Sequence, residues 1–288
     1  MCKTFWQDFS AFLARWLAFR VIALNVLFVM GLGMDVDGVA LGTLIASWLG
    51  FGYGLWRVRS RMATLMPGWV AERARLLNRV ELRALFRLNR DIFIRTMLLI
   101  AAFTYTTRLG SLQGDVMLAA NGILFQLFSL ASYGLDGFAI AAEALVGQAV
   151  GRRNRAFLRR AVIVSGQSAL VLATIASVVL LLVETPLIAL FTNVAEVRAI
   201  TAQHYFWAAL LPLVGVLAFL MDGVFVGATA SPAMRKGMIA AAGIYFALGG
   251  WMADTWANHG VWGGVWLFMV LRGVTLLAQY PALERRVI

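Results

Sequence analysis

The sequence predicts an all-α polytopic membrane protein of about eight transmembrane helices. Three observations carry this. Of 288 residues, 61% are hydrophobic and only 14% charged, where a soluble domain has about half and a quarter. Mean hydropathy is +0.81. The apolar residues also come in blocks near the ~20 residues that a bilayer requires, divided by short charged stretches.

The blocks run 17–33, 38–56, 91–111, 116–146, 161–183, 199–227, 237–256 and 260–280. The leading MCKTFWQDFSAFLARW lacks the short apolar core and small-residue cleavage site of a signal peptide, so it reads as a partly amphipathic entry to the first span. The acidic turn MDVD, 34–37, parts the first two blocks. The stretch 57–90 holds nine Arg and two Glu and is too polar to span. Leu77, Val80, Ala84 and Leu88 follow at helical spacing, which makes it a basic amphipathic linker between two bundles. QGD, 113–115, ends the third block. The fourth, with Gly134 and Gly137, and the sixth, with Pro212, are long enough to tilt or bend. GRRNRAFLRR, 151–160, divides the fourth from the fifth. ETP with Glu196 closes the fifth, MRK the sixth, and ADTWANHG the seventh.

Basic and acidic loops alternate along this zigzag. The positive-inside rule therefore puts both termini in the cytoplasm of an inner-membrane protein bathed in lipid. It also accounts for the net charge of +11. In a soluble protein that charge would suggest nucleic acid, but no soluble basic domain is present to bind it. Cys2 is the sole cysteine, which excludes an internal disulfide and a cysteine-rich metal site. His204 and His259 are far apart along the chain and have no carboxylate at ligand spacing. Metalloprotease, P-loop and nucleophile-elbow motifs are lacking. No enzyme and no cofactor are expected.

Charges inside spans cost a few kcal/mol each and face a cavity or a partner. Asp91 and Arg95 stand at i and i+4, a spacing that permits a pair. In SYGLDGFAIAAEALVGQ, Asp136 and Glu143 are two turns apart and share one helix face. Asp136 is flanked by glycines that allow close packing or a local break. A carboxylate at such a place can exchange a proton or ligate Na⁺. Glu143 lies nearer the arginine loop, where Arg152 or Arg153 could anchor it. Asp222, ten residues after Pro212, marks a kinked, titrating element. Arg272 is the last buried cation, suited to neutralising an acid.

GLGMDVDGVALGTLIASWLG weakly echoes DTWANHGVWGGVWLFMVLRG, which suggests equivalent parts of two repeats. The stretches NRDIFIRTMLLIAAF, SYGLDGFAIAAEALVGQAVGRRNR, LPLVGVLAFLMDGVFVGATASPAMR and ANHGVWGGVWLFMVLRG occur in that order. In this they resemble the multidrug and toxic compound extrusion (MATE) family, and specifically its DinF-like (damage-inducible F) branch.

The resemblance implies twelve helices in two six-helix lobes, which rock while an organic cation is exchanged for H⁺ or Na⁺. It makes 1–56 the last two helices of an incomplete first lobe, 57–90 the linker and 91–288 a complete second lobe. Asn25 stands where relatives carry an Asp, and an amide cannot carry a proton. Arg95 stands where some relatives have an acid, and Asp222 falls on a cation-coupling position. The expected site is thus Asp222, Asp136, Glu143, Asp91, Arg95, Arg272 and Asn25, with small, cationic organic substrates. Two alternatives stay open. One is a truncated remnant or split half-transporter that needs a separate first-lobe polypeptide. The other is a lipid-carrier flippase.

Overall fold

The computed structural model describes residues 27–31, 33–34, 36–65 and 79–286. They divide into two units between Leu82 and Arg83, and each unit is described by itself. Residues 17–26 of the expected span 17–33, Asn25 among them, lie outside the described residues, as does the middle of the linker.

In the first unit a π-helical turn, Leu27–Gly31, precedes α1, Val36–Leu65. Met34 N donates to the Phe28 carbonyl at 3.0 Å between them. α1 is helical well past the end of the predicted block. Its apolar side chains, Leu44, Trp48, Phe51 and Trp56 among them, are exposed, as suits a helix bathed in lipid.

The second unit holds α2 (Arg79–Ser111, whose first turn precedes the division), α3 (Asp115–Gly151), α4 (Arg155–Leu182), α5 (Glu184–Phe191), α6 (Ala195–Gly227) and α7 (Ser231–Arg285). Six helices among the described residues, α1 to α4, α6 and α7, are long and apolar enough to cross a membrane. α7 has 55 residues, more than two crossings of a ~30 Å core. It is broken at Trp256 and Ala257, where φ at Ala257 is +48°. There the chain doubles back. The rings of Tyr245 and Phe268 lie 5.5 Å apart, and Thr275 Oγ1 comes within 3.4 Å of the Gly237 carbonyl oxygen. Gly260 makes the reversal possible, because a Cβ there would collide with the Met252 carbonyl. The predicted seventh and eighth spans are these two arms. The ETP loop contains a short helix, α5, that hydropathy missed.

Several of the described charges stand at helix ends. Asp115, Glu184 and Glu196 occupy first turns of α3, α5 and α6, where the helix dipole favours a negative charge. Asn154 caps α4 by accepting from Phe157 N at 2.9 Å. Arg155 donates to Glu284 at 2.9 Å, and Arg159 shares the same oxygen. This ties the basic loop to the end of α7.

Two large apolar clusters, with two smaller ones, fill the unit. One, near the arginine end, joins Ala142, Val146, Leu158, Val224, Phe225 and Leu276. The other, toward the acidic end, joins Leu124, Leu127, Phe128, Tyr205, Trp262 and Met269. α3 and α6 approach closely between them. A Cβ on Gly223 would overlap the Ala139 carbonyl, and one on Gly227 the backbone of Glu143. At the acidic end Asn121 and Asn258 pair through both amides, at 2.8 and 3.0 Å, and Trp262 Nε1 donates to Asn121 at 2.8 Å. His204 and His259, remote in sequence, meet with ring centroids 4.5 Å apart, and Trp207 Nε1 donates to His259 Nδ1 at 2.9 Å.

Candidate functional site

Along α3 one apolar cluster ends at Phe128 and the other begins at Ala142. The residues between them wall a cavity of about 380 Å³. Its lining comes from α2 (Arg95, Leu99, Phe103), α3 (Phe128, Ser129, Ser132, Tyr133, Asp136, Ala139), α6 (Phe219, Asp222) and the second arm of α7 (Met269, Arg272). α3 contributes its polar groups at helical spacing. Ser129, Ser132 and Asp136 are three and four residues apart, one face of α3.

Arg95 and Arg272 both reach Oδ2 of Asp222, Arg272 through Nη2 at 2.6 Å. Arg272 is 5% exposed. Its guanidinium also donates to Met269 Sδ at 3.2 Å and lies 5.7 Å from the centre of the Phe268 ring. Nε of Arg95 and Nε of Arg272 are buried without an acceptor. The cluster is therefore one carboxylate held by two cations. Both bonds fall on one oxygen, so the charge of Asp222 is already compensated by two cations.

Asp136 is exposed on the cavity, and among the described residues nothing forms a hydrogen bond or ion pair with it. The glycines on either side do not break α3, which is helical throughout. Glu143, on the same helix, does not line the cavity, and none of the ion pairs among the described residues links it to Arg152 or Arg153. Arg152 instead lies 5.7 Å from the centre of the Phe157 ring.

The Asp91–Arg95 pair that the spacing suggested does not form. Asp91, 1% exposed, accepts from Arg235 at 2.5 Å and from Arg90 at 3.2 Å. Arg95 turns to Asp222. Across the bundle each residue meets a partner that local spacing cannot reveal. Arg235 was not singled out in the sequence, and neither were Ser129, Ser132 and Tyr133. For the α3 residues the signal was present as polar positions repeating on the Asp136 face. Among the described residues no group of three or more His, Cys, Asp or Glu is placed to hold a metal ion.

A family model, MatE, matches residues 92–249. The chain is 38% identical over 259 residues to DNA damage-inducible protein F of Escherichia coli, covering 89% of this chain and 55% of that protein. It is 26% identical to a probable multidrug resistance protein, NorM, of Xylella fastidiosa, over 87% of this chain and 54% of that one. The chain thus spans about half the length of the curated relatives it matches. Among solved structures it is similar to a Vibrio cholerae MATE transporter, the VcmN D35N mutant. The TM-score there is 0.82 at 19% identity, over 95% of this chain and 61% of that one.

Proposed function

Because this chain belongs to the MATE family of membrane transporters, we propose that it forms the second lobe of a cation-coupled antiporter that exports amphipathic organic cations, with Asp136 as the ion-exchanging acid. One observation carries the assignment. Of the two acids on the cavity, Asp222 is held by two guanidiniums, whereas nothing among the described residues forms a hydrogen bond or ion pair with Asp136. A carboxylate without a partner is free to take a proton, a Na⁺ or a substrate cation in turn, and that competition is what an antiporter needs. Asp222, Arg95 and Arg272 then form the ion-paired wall of the site. The apolar wall of Phe103, Phe128, Phe219 and Met269 suits an aromatic, amphipathic body. In this reading 57–90 is the inter-lobe linker, both termini face the cytoplasm of a bacterial inner membrane, and exchange proceeds as two lobes rock.

A flippase for a lipid carrier calls for a larger, cationic cavity. Here two arginines face two carboxylates, which favours the antiport reading.

The test is dye transport into proteoliposomes under an imposed pH or Na⁺ gradient. Asp136→Asn is expected to abolish gradient-dependent transport while protein yield and thermal stability are unchanged. Transport by D136N at the wild-type rate sinks the assignment.

A further inference from the structure

The polar groups of the cavity are segregated. On α3, the Ser129 hydroxyl donates to the Phe125 carbonyl at 2.9 Å and the Ser132 hydroxyl to the Phe128 carbonyl at 2.8 Å. Their protons are spent, so they can offer only oxygen lone pairs to a ligand. With the Asp136 carboxylate, the α3 wall is rich in acceptors, the Tyr133 hydroxyl being the donor on it, and it carries a negative charge with no ion-pair partner among the described residues. The opposite wall, from α2 and α7, is the reverse. Two guanidiniums have ten N–H donors between them, and the described partners are one carboxylate oxygen and one thioether sulfur. Taken with Asp222 they bear an excess of one positive charge. Buried charged donors left unbonded are costly, and both Nε groups are in that state.

From this we propose that Arg95 and Arg272 accept an anionic group, a carboxylate or its equivalent, so that the compound exported is zwitterionic. Its cationic end lies on the α3 wall against Asp136, and its anionic end lies on the arginines. This rests on the transport reading above and narrows its substrate class. The charge arithmetic is balanced. The arginine cluster is +1 and Asp136 is −1, so a zwitterion neutralises both poles, whereas a simple cation leaves the arginine pole uncompensated. The coupling ion competes only at Asp136. The anionic end sets affinity, and proton or Na⁺ exchange at the other end sets release. Planar guanidiniums suit this task, since they bind carboxylates through paired, charge-assisted hydrogen bonds.

The experiment uses two dyes with the same xanthylium body, rhodamine B, which bears a free carboxylate, and its ethyl ester, which does not. Binding to the purified chain in nanodiscs is read by fluorescence anisotropy. Rhodamine B is expected to bind at least about tenfold more tightly than the ester, the scale of hydrogen bonds to a charged group. Arg95→Gln and Arg272→Gln each reduce that ratio toward one. Each also raises affinity for the ester, because a repelling cation is gone. Thermal melting shows whether the Arg272 variant folds, and Arg95, nearer the cavity rim at 17% exposure, supplies the second variant. Equal binding of the two dyes by the wild type, or a ratio that persists in both variants, overturns the proposal. If the ester binds and Asp136→Asn abolishes that binding, the transport reading stands whatever the ratio. If ester binding ignores D136N, or neither dye binds, the transport reading falls and this inference falls with it.

Discussion

Arg95 and Asp222 are joined across the bundle, from α2 to α6, although each has closer charged neighbours in the sequence. The pair is shared, because Arg272 reaches the same oxygen. Removing the acid would leave two guanidiniums facing each other with no counter-charge.

Asp222→Asn is therefore expected to destabilise the chain by about 3 kcal/mol or more, the cost of breaking a largely buried pair from one side. Combining it with Arg95→Gln should recover part of that loss. A double-mutant cycle from thermal or denaturant unfolding in detergent measures the coupling. Strict additivity would contradict the shared-oxygen geometry.

The two arginines on Asp91 should differ sharply. Asp91 is buried, Arg235 is 24% exposed and Arg90 60%. Arg235→Gln removes the closer, better-buried partner and should cost about 2–3 kcal/mol. Arg90→Gln breaks a surface pair and should cost less than about 1 kcal/mol. Melting temperatures of the two variants check this, and a reversed order would refute the pairing.

At the reversal of α7, Ala257 adopts φ +48°, where an L side chain is disfavoured. Ala257→Gly relieves that and should stabilise by about 1 kcal/mol, while Ala257→Val should do the opposite. An unchanged melting temperature in both would mean that the turn is not strained.

Gly223→Ala adds one methyl group where the Ala139 carbonyl already sits. The backbone cannot yield as a flexible side chain would, so α3 and α6 must separate, at a cost of about 1–3 kcal/mol or more. Unfolding curves for this variant test the contact, and wild-type stability would disprove it.

Hydropathy located the membrane segments of the second unit well, because a bilayer imposes both length and composition on each. It fared worse at their ends. α1 and α2 are helical into the charged linker, since backbone hydrogen bonds need no apolar side chains once a helix has started. The eight-residue α5 is too short to register. Within the site, what lay on one helix could be read. Ser129, Ser132 and Asp136 share a face because 3.6-residue periodicity is local. What crossed the bundle could not. The i, i+4 spacing of Asp91 and Arg95 is a permission, and Arg235 and Asp222 offered each a better-placed opposite charge. The meeting of His204 with His259 was invisible for the same reason.

The close approach at Gly223 has a mechanical consequence. Gly223 is next to Asp222, and Ala139 lies one turn beyond Asp136. With backbone against backbone at that point, and again at Gly227 and Glu143, α3 and α6 cannot slide or part without losing the contact. They behave as the fixed jaw of a spanner, with one carboxylate set in each half of the metal and the gap between them constant. On the transport reading proposed above, any stroke would then fall to α2 and the second arm of α7, which carry the arginines.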